Sequence, residues 1–521
     1  MTWNLLKDRL IRVRLVDGSP DILTLPEVYE ALFARRVESF AALRSHQRHA
    51  LHALLVLLGA LACIRGGLRA PPSDAATWER ILRALTPEFP DDDPWSLVSP
   101  ADRPAFLQPV VGPLEGLKAV DTPDGLDMLV TAKNHDLKGA RMVRAPPDDW
   151  LFALATLQTM EGFLGAGNFG VSRMNGGFAN RPGVGLAPPG GVGAHVMRDI
   201  RRLIALEGDL LDRYDEYDED GPALLWLMPW DGVATLPRKG LHPYYIETCR
   251  RVRLTLAHGV IAARVGNSKA MRVAMTKEEG GVTGDPWTPI RTGADGSKAL
   301  TVDARGFDYR RLADIIAGDG YVRAPLQEFG PDESGDGWEL VCRALARGQG
   351  KTEKYHERRV LIPAPAIDFL RVGEGYRRLA GIAERRVANA ASVRSALRYA
   401  LMTLFQNGPD RADYGPQDPS SARRAEPFLD RFNDRVDADF FERLFDEFVE
   451  QESDRASAVR RAWLLDLLGR ARLLLRDAEA PSPVSSVRRH RARVRAGEAL
   501  DRAFFGARDL KDFFVEDANV A

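Results

Sequence analysis

Cysteine is scarce. The chain of 521 residues has three, Cys63, Cys249 and Cys342, far apart and never in a C-x-x-C pair. That spacing excludes a zinc knuckle or ribbon built on cysteines, and so long a chain with so few cysteines reads as cytoplasmic. Charge of one sign is missing too. Lys plus Arg number 72 against 73 Asp plus Glu, for a formal net charge of -1. No global field draws the molecule to nucleic acid, so binding there has to come from local basic patches. Long apolar runs are absent. Ala53–Ile64, between His52 and Arg65, falls short of the ~20 residues that cross a bilayer and reads as a buried helix. Lys7, Asp8, Arg9, Arg12 and Arg14 occupy the stretch where a secretory leader needs an apolar core, so no leader and no membrane partner are expected.

What is present is enough apolar material, 45% of residues, for a large core, and a length that argues for two or more domains. Alternation through Ile11, Val13 and Leu15, a break at Asp17-Gly18, and Ile22–Leu25 predict a β-hairpin. Pro26 then opens a helix to about Arg36, and a second, more buried helix runs from about Ser45 to Arg65. Residues 70–150 are rich in Pro and Asp and predict short helices and long loops. Helical patterns at Leu151–Phe163 and Val196–Leu211 flank an irregular glycine-rich stretch over 162–193. Strands and turns are expected over 240–325. After Pro363 and Pro365 the pattern is helical: Ile367–Ala391, Ser392–Phe405, Asp437–Glu452, Ala456–Asp477 and Gly497–Phe514, with a polar loop at 407–428. The expected fold class is α+β, a mixed α/β N-terminal domain over 1–365 followed by a four-helix-type C-terminal bundle over 366–521.

Four constellations invite a chemical reading. Gly165, Gly167 and Gly170 spell G-x-G-x-x-G, but a helix precedes them instead of a strand, and no Gly-Lys-Ser/Thr follows. A nucleotide cofactor is not expected. The glycines either form a plain surface loop or let backbone approach a ligand too closely for a side chain. Arg173, Asn175, Asn180 and Arg181 among them could supply polar contacts to DNA. Lys133-Asn134-His135-Asp136 holds a His-Asp pair, yet a metal hydrolase needs further ligands, and no histidine stands at ligand spacing nearby. Lys133, Lys138, Arg141 and Arg144 there read as phosphate contacts or as a solvated loop. Arg347-Gly348-Gln349-Gly350-Lys351 reads as a polar turn or as a turn that exposes a glutamine to a base stack. Arg488, Arg489, Arg491, Arg493 and Arg495, in the linker before the last expected helix, read as a solvated face or a nucleic-acid backbone contact. No metal and no cofactor are expected.

Four segments together resemble the CasA-type large subunit of the type I-E CRISPR Cascade complex. They are Asn4-Leu5-Leu6 with Ile11-Arg12-Val13-Arg14 and Asp21–Leu25; Pro104-Ala105-Phe106-Leu107-Gln108; the glycine loop over Gly165–Gly177; and Glu357-Arg358-Arg359 before a helical C-terminal domain. The resemblance implies a non-enzymatic subunit that works with other Cascade proteins, crRNA, double-stranded target DNA and a helicase-nuclease effector in antiviral defence. It implies recognition of the protospacer-adjacent motif from the minor groove and help with duplex opening and R-loop formation, while crRNA pairing reads the sequence. It further implies three reading elements. The glycine loop maps to Gly165, Gly167 and Gly170, with Asn175-Gly176-Gly177 as the alternative. The lysine finger maps to Lys277, or second to Lys269. The glutamine wedge maps to Gln349, although ungapped spacing from Glu357-Arg358-Arg359 puts Lys351-Thr352 there. The alternative function is a stand-alone metal-dependent nucleic-acid hydrolase using His135 and Asp136.

Overall fold

The computed structural model describes residues 3–127, 144–176, 179–257, 259–318, 320–348, 351–371, 373–409, 418–479, 485–508 and 510. Contacts divide the chain into two units. The first comprises Met1–Phe307 and Gly320–Val360; the second comprises Asp308–Asp319 and Leu361–Ala521. The second unit thus takes one helix from within the first unit's stretch of sequence. The class is α+β.

The first unit opens with the expected hairpin, β1 (Ile11–Leu15) and β2 (Pro20–Leu23), to which β3 (Val37–Phe40) adds on the far side of β1. Ile11 and Val13 face the core. On the other face Arg12 pairs with buried Asp148 at 2.8 Å and with Asp149 at 2.9 Å. That contact ties the sheet to the first turn of a helix well along the chain. Helix α1 (Leu25–Phe33) starts with a capping box: Glu27 N–H donates to Thr24 Oγ1, and Thr24 N–H donates to the Glu27 carboxylate at 2.8 Å.

Helix α2 (Arg48–Arg65) is buried on every face from His49 to Cys63. It is the one helix among the described residues that is apolar and long enough, by composition, to cross a membrane, and it lies in the core instead. Around it pack α3 (Ala75–Arg83), α4 (Pro147–Met160) and α5 (Gly191–Arg213). Helix α5 covers the pattern expected at 196–211 and begins five residues earlier; α4 begins four residues before the pattern expected at 151–163 and stops at Met160, three residues short of its end. The Pro104–Gln108 element is structural. Gln108 is buried; its Nε2 donates to Leu97 O at 2.9 Å, and its Oε1 accepts from Leu254 N–H at 2.6 Å.

Among the described residues the remaining strands of the chain form three further three-stranded sheets. One has the order β4 (Lys118–Val120), β7 (Val260–Gly266), β6 (Arg251–Ala257). A second joins β5 (Gly183–Ala187), β11 (Trp338–Gly348) and β12 (Lys351–Ile362). The third is a small sheet of β8 (Ile290–Arg291), β9 (Lys298–Ala299) and β10 (Tyr321–Val322). Strand β5 falls inside the stretch expected to be irregular. Its five residues are all buried, so no alternation marks it.

The second unit is helical: α6 (Tyr309–Ala317), α7 (Ala364–Leu370), α8 (Gly373–Phe405), α9 (Pro419–Val449), α10 (Ser453–Glu479) and α11 (Ser486–Phe505). Two separate helices expected over 367–405 are a short α7 and one continuous α8. Helix α9 begins at Pro419, inside the expected loop, and runs through Pro427. The core is Leu397, Leu401, Phe432, Phe440, Leu444, Leu467, Leu474, Leu500 and Phe504. Within it Arg386, fully buried, pairs with Glu447 at 2.7 Å and lies over the Trp463 ring.

Candidate nucleic-acid interface

The glycine stretch leaves α4 at Glu161. Glu161 is buried and pairs with two buried arginines, Arg347 at 2.8 Å and Arg250 at 3.1 Å. The end of β11 is therefore fastened to the start of the loop. Asn180 fastens it again: its Oδ1 accepts from Leu345 N–H at 2.6 Å, and its own N–H donates to Leu345 O at 3.2 Å. Between these two clamps the chain makes a tight turn, in which Asn168 N–H donates to Gly165 O at 3.0 Å and Leu164 N–H to Asn168 O at 2.9 Å. Gly165 and Gly167 have φ of +104° and +86°, backbone that L side chains rarely adopt. A Cβ on Gly165 would meet nothing within 4 Å, so this corner presents bare backbone outward.

Gly170 is different, and its assignment as a ligand contact is corrected. It is buried, and a Cβ there would lie 2.5 Å from the Gly162 carbonyl carbon and 2.7 Å from Phe163 N. The missing side chain serves internal packing. The same correction applies to three polar residues of the loop. Arg173 is buried, donates to Pro243 O at 2.9 Å and Tyr245 O at 3.2 Å, and lies over the Tyr245 ring. Arg181 is buried against Asp285, with Nη2 to Oδ1 at 2.8 Å. Asn180 is occupied as above. Burial alone would push the Asp285 carboxyl up, but the Arg181 charge and hydrogen bonds hold it below the ordinary carboxylate range. Glu247 shifts the other way: burial dominates and raises it, though Ser172 donates to it through N–H and Oγ at 2.8 and 2.7 Å.

Asn175 is half-buried at the other end of the loop. Both candidate lysines are exposed, have no ion-pair partner among the described residues, and reach the loop at different places. Lys269 follows Ser268, whose N–H donates to Gly167 O at 3.0 Å, and Asn267 packs where a Gly167 Cβ would stand. Lys277 lies in a turn closed by Thr276 and Glu279, each backbone N–H donating to the other's side chain at 2.6 and 3.2 Å. Glu279 is also held by Arg238 at 2.7 Å. That turn ends at Gly281, whose absent Cβ makes room for the Met174–Asn175 backbone. Lys269 thus accompanies Gly165 and Gly167, while Lys277 accompanies Asn175 and Gly176.

Gln349 lies outside the described residues, and Lys351 is described only as the first residue of β12. Lys133, Lys138 and Arg141 lie outside them as well, as do His135 and Asp136. The basic run lies in the other unit. It is not a linker: α11 starts at Ser486 and carries all five arginines. Its inner face, Ala492, Ala496, Leu500 and Phe504, keeps the i, i+4 spacing through the run. Arg488, Arg489, Arg491 and Arg493 are exposed, and Arg495 is half-buried with Nη1 donating to Gly408 O at 3.0 Å.

One group of side chains missed in the sequence has metal-ligand geometry: His52, His195 and Asp199 in the first unit. His195 and Asp199 stand one helical turn apart, which is a legible spacing, but His52 is on another helix, 147 residues before Asp199. The three cysteines are buried and unpaired by disulfides, and burial pushes each thiol up to about 12.

No protein-family model and no curated protein sequence matches the chain. Solved structures do. CRISPR-associated protein Cse1 from Acidimicrobium ferrooxidans aligns with a TM-score of 0.65 at 16% identity, covering 96% of this chain and 98% of that one. CasA (Cse1) of Thermus thermophilus aligns with a TM-score of 0.65 at 17% identity, covering 97% and 100%. Cse1 of Thermobifida fusca gives 0.62 at 15%, covering 96% and 98%. The fold is that of the CasA/Cse1 proteins from end to end.

Proposed function

We propose that this chain is the large subunit of a type I-E Cascade complex, a cytoplasmic, non-enzymatic protein that recognises the protospacer-adjacent motif and aids duplex opening. The observation that carries the reading is the likeness of fold over nearly the whole chain, both units included. The first unit adds a physical reason. The glycine loop is fastened to the end of β11 by Glu161 and Asn180, and to the two lysine-bearing turns at Ser268 and Gly281. A bare backbone corner beside exposed ammonium groups suits the minor groove. That groove displays acceptors on every base pair and an added amino donor only at G·C, so lysine is tolerant where an obstructing amino group is absent.

In this reading residues 1–365 form the motif-recognition domain and 366–521 the bundle. Gly165 and Gly167 supply backbone contacts, Lys269 or Lys277 the finger, and Gln349 or Lys351 the wedge. Lys133, Lys138 and Arg141, and the arginines of α11, contact phosphates. Partners are the other Cascade proteins, crRNA, target DNA and a recruited helicase-nuclease.

The test is reconstitution of the crRNA-bearing partner proteins with and without this chain, followed by binding to target duplexes that carry or lack the motif. Motif-dependent binding and R-loop formation should need the chain, and Gln349→Ala should impair intact duplex while sparing a pre-opened bubble, because unstacking costs a few kcal/mol only where a stack exists. Binding that ignores the chain, or DNA cleavage by the isolated chain with a metal ion, would sink the reading in favour of a stand-alone hydrolase.

A further inference from the structure

Helices α2 and α5 pack against each other in the core of the first unit. Between them three side chains converge. His52 Nε2 lies 2.8 Å from Asp199 Oδ2, and His195 Nε2 lies 3.4 Å from the same oxygen. All the ligand atoms fall within 4.8 Å of one another. The two imidazole rings face each other, their centroids 4.1 Å apart. Asp199 is fully buried and both histidines nearly so.

We propose that His52, His195 and Asp199 bind a divalent transition-metal ion of the zinc class. Two imidazole nitrogens and a carboxylate oxygen are a ligand set that zinc takes, at roughly 2.0–2.2 Å, and tetrahedral bonds of that length hold ligand atoms about 3.3 Å apart. The His195–Asp199 spacing already has that value. The His52–Asp199 spacing reaches it by opening about half an ångström, as a metal replaces the shared proton.

A plain structural His–Asp bond needs only one histidine. Here a second is aimed at the same oxygen, and its Nε2 is buried without a hydrogen-bond partner, a state that native interiors seldom leave unexplained. A bound cation would use that lone pair. The carboxylate is also oriented from behind. Arg198 donates to Asp199 Oδ1 at 3.0 Å and is itself held by Glu333 at 2.7 and 2.9 Å and by Leu326 O and Glu328 O at 3.0 and 2.8 Å. Such an outer shell fixes a ligand's direction, and Glu333 offsets the Arg198 charge. Finally, both histidines line a cavity of about 570 Å³, which provides a way in and room for a water as the remaining ligand. The site rests on no part of the reading of the chain as a Cascade subunit.

The probes are Zn²⁺ and Co²⁺ alone. The full chain, stripped with a chelator, is titrated with Zn²⁺ by calorimetry and with Co²⁺ by visible absorption. One ion per chain is expected, with the d–d bands of a four-coordinate Co²⁺ site. His195→Gln and Asp199→Asn should weaken binding roughly tenfold or more and abolish the bands, while His490→Gln, on the exposed face of α11, should match the parent chain. Circular dichroism of each metal-free variant checks folding; should Asp199→Asn unfold, His195→Gln and His52→Gln decide. A parent chain that takes up neither ion overturns the proposal, and so does a folded His195→Gln chain that binds Zn²⁺ as tightly as the parent.

Discussion

Arginine is used in opposite ways in the two units. Beneath the glycine loop, Arg173, Arg181, Arg250 and Arg347 are buried and held by carbonyls, carboxylates or an aromatic face. Along α11, Arg488, Arg489, Arg491 and Arg493 are exposed on a helix whose inner face is alanine and leucine. The first set fixes a shape; the second leaves charge where a polyanion can reach it. Arginines near a proposed ligand site are therefore poor guides to contact until burial is known. In this chain the loop's own arginines are its scaffold, and the available cations beside it are lysines.

The largest effect should come from breaking the scaffold. Arg181→Ala leaves the Asp285 carboxylate buried and uncompensated and should cost about 3–5 kcal/mol, read by denaturant melts. The same pair sets an acid limit. Asp285 titrates lower folded than unfolded, so its contribution is complete above the unfolded value of about 3.9 and is lost as pH falls through the folded one. Melts below about pH 4 should show that loss, and Asp285→Asn should flatten this part of the profile.

Gly170→Ala should destabilise the first unit by about 1–3 kcal/mol through overpacking against Gly162, with no DNA in the tube. Gly165→Ala meets no neighbour, so its main cost is the left-handed backbone, about 1–2 kcal/mol, and its larger effect should appear in target binding. If both behave alike in melts and in gel shifts, the separation of scaffold from exposed corner fails.

The lysines sharpen the comparison. Alanine at the reading lysine should cost about 1–3 kcal/mol on motif-bearing DNA and much less on DNA without the motif. The packing ties Lys269 to Gly167 and Lys277 to Asn175. Loss at Lys269 with Gly165 therefore names one half of the loop, and loss at Lys277 with Asn175 names the other. The smallest effects belong to α11. Replacing Arg488, Arg489, Arg491 or Arg493 should lower the slope of log K against log salt by roughly 0.9 for each phosphate no longer neutralised, on any sequence. An unchanged slope would remove α11 from the DNA path.

Much of the fold was legible where one periodicity ruled. The β1–β2 hairpin alternates, the helix from Ser45 is apolar throughout, and most bundle helices show their stripe. Strands buried on both faces were not. Strand β5 has no polar face to alternate with, and Trp338–Gly348 is nearly all buried, so nothing in their pattern separates strand from loop. The start of α11 was hidden because alanines carry its inner face among arginines, a weak contrast against a strong one. At the candidate interface, the sequence could not show which polar residues of the glycine loop turn inward. Arg173, Asn180 and Arg181 look available on paper because their partners, Tyr245, Leu345 and Asp285, are distant in the chain.

Helix α2 also has a consequence for synthesis. Its apolar surface is complete once Arg65 is made, but α4 and α5, which help cover it, finish only at Met160 and Arg213. At about 5–20 residues per second the ribosome needs on the order of ten to thirty seconds to supply those roughly 150 residues. Until then the nascent chain displays a helix of membrane-like character that only α3 and, from Met160 on, α4 can begin to cover. Apolar surface exposed in this way is prone to aggregate, so the yield of this protein should track the supply of chaperones that bind emerging chains.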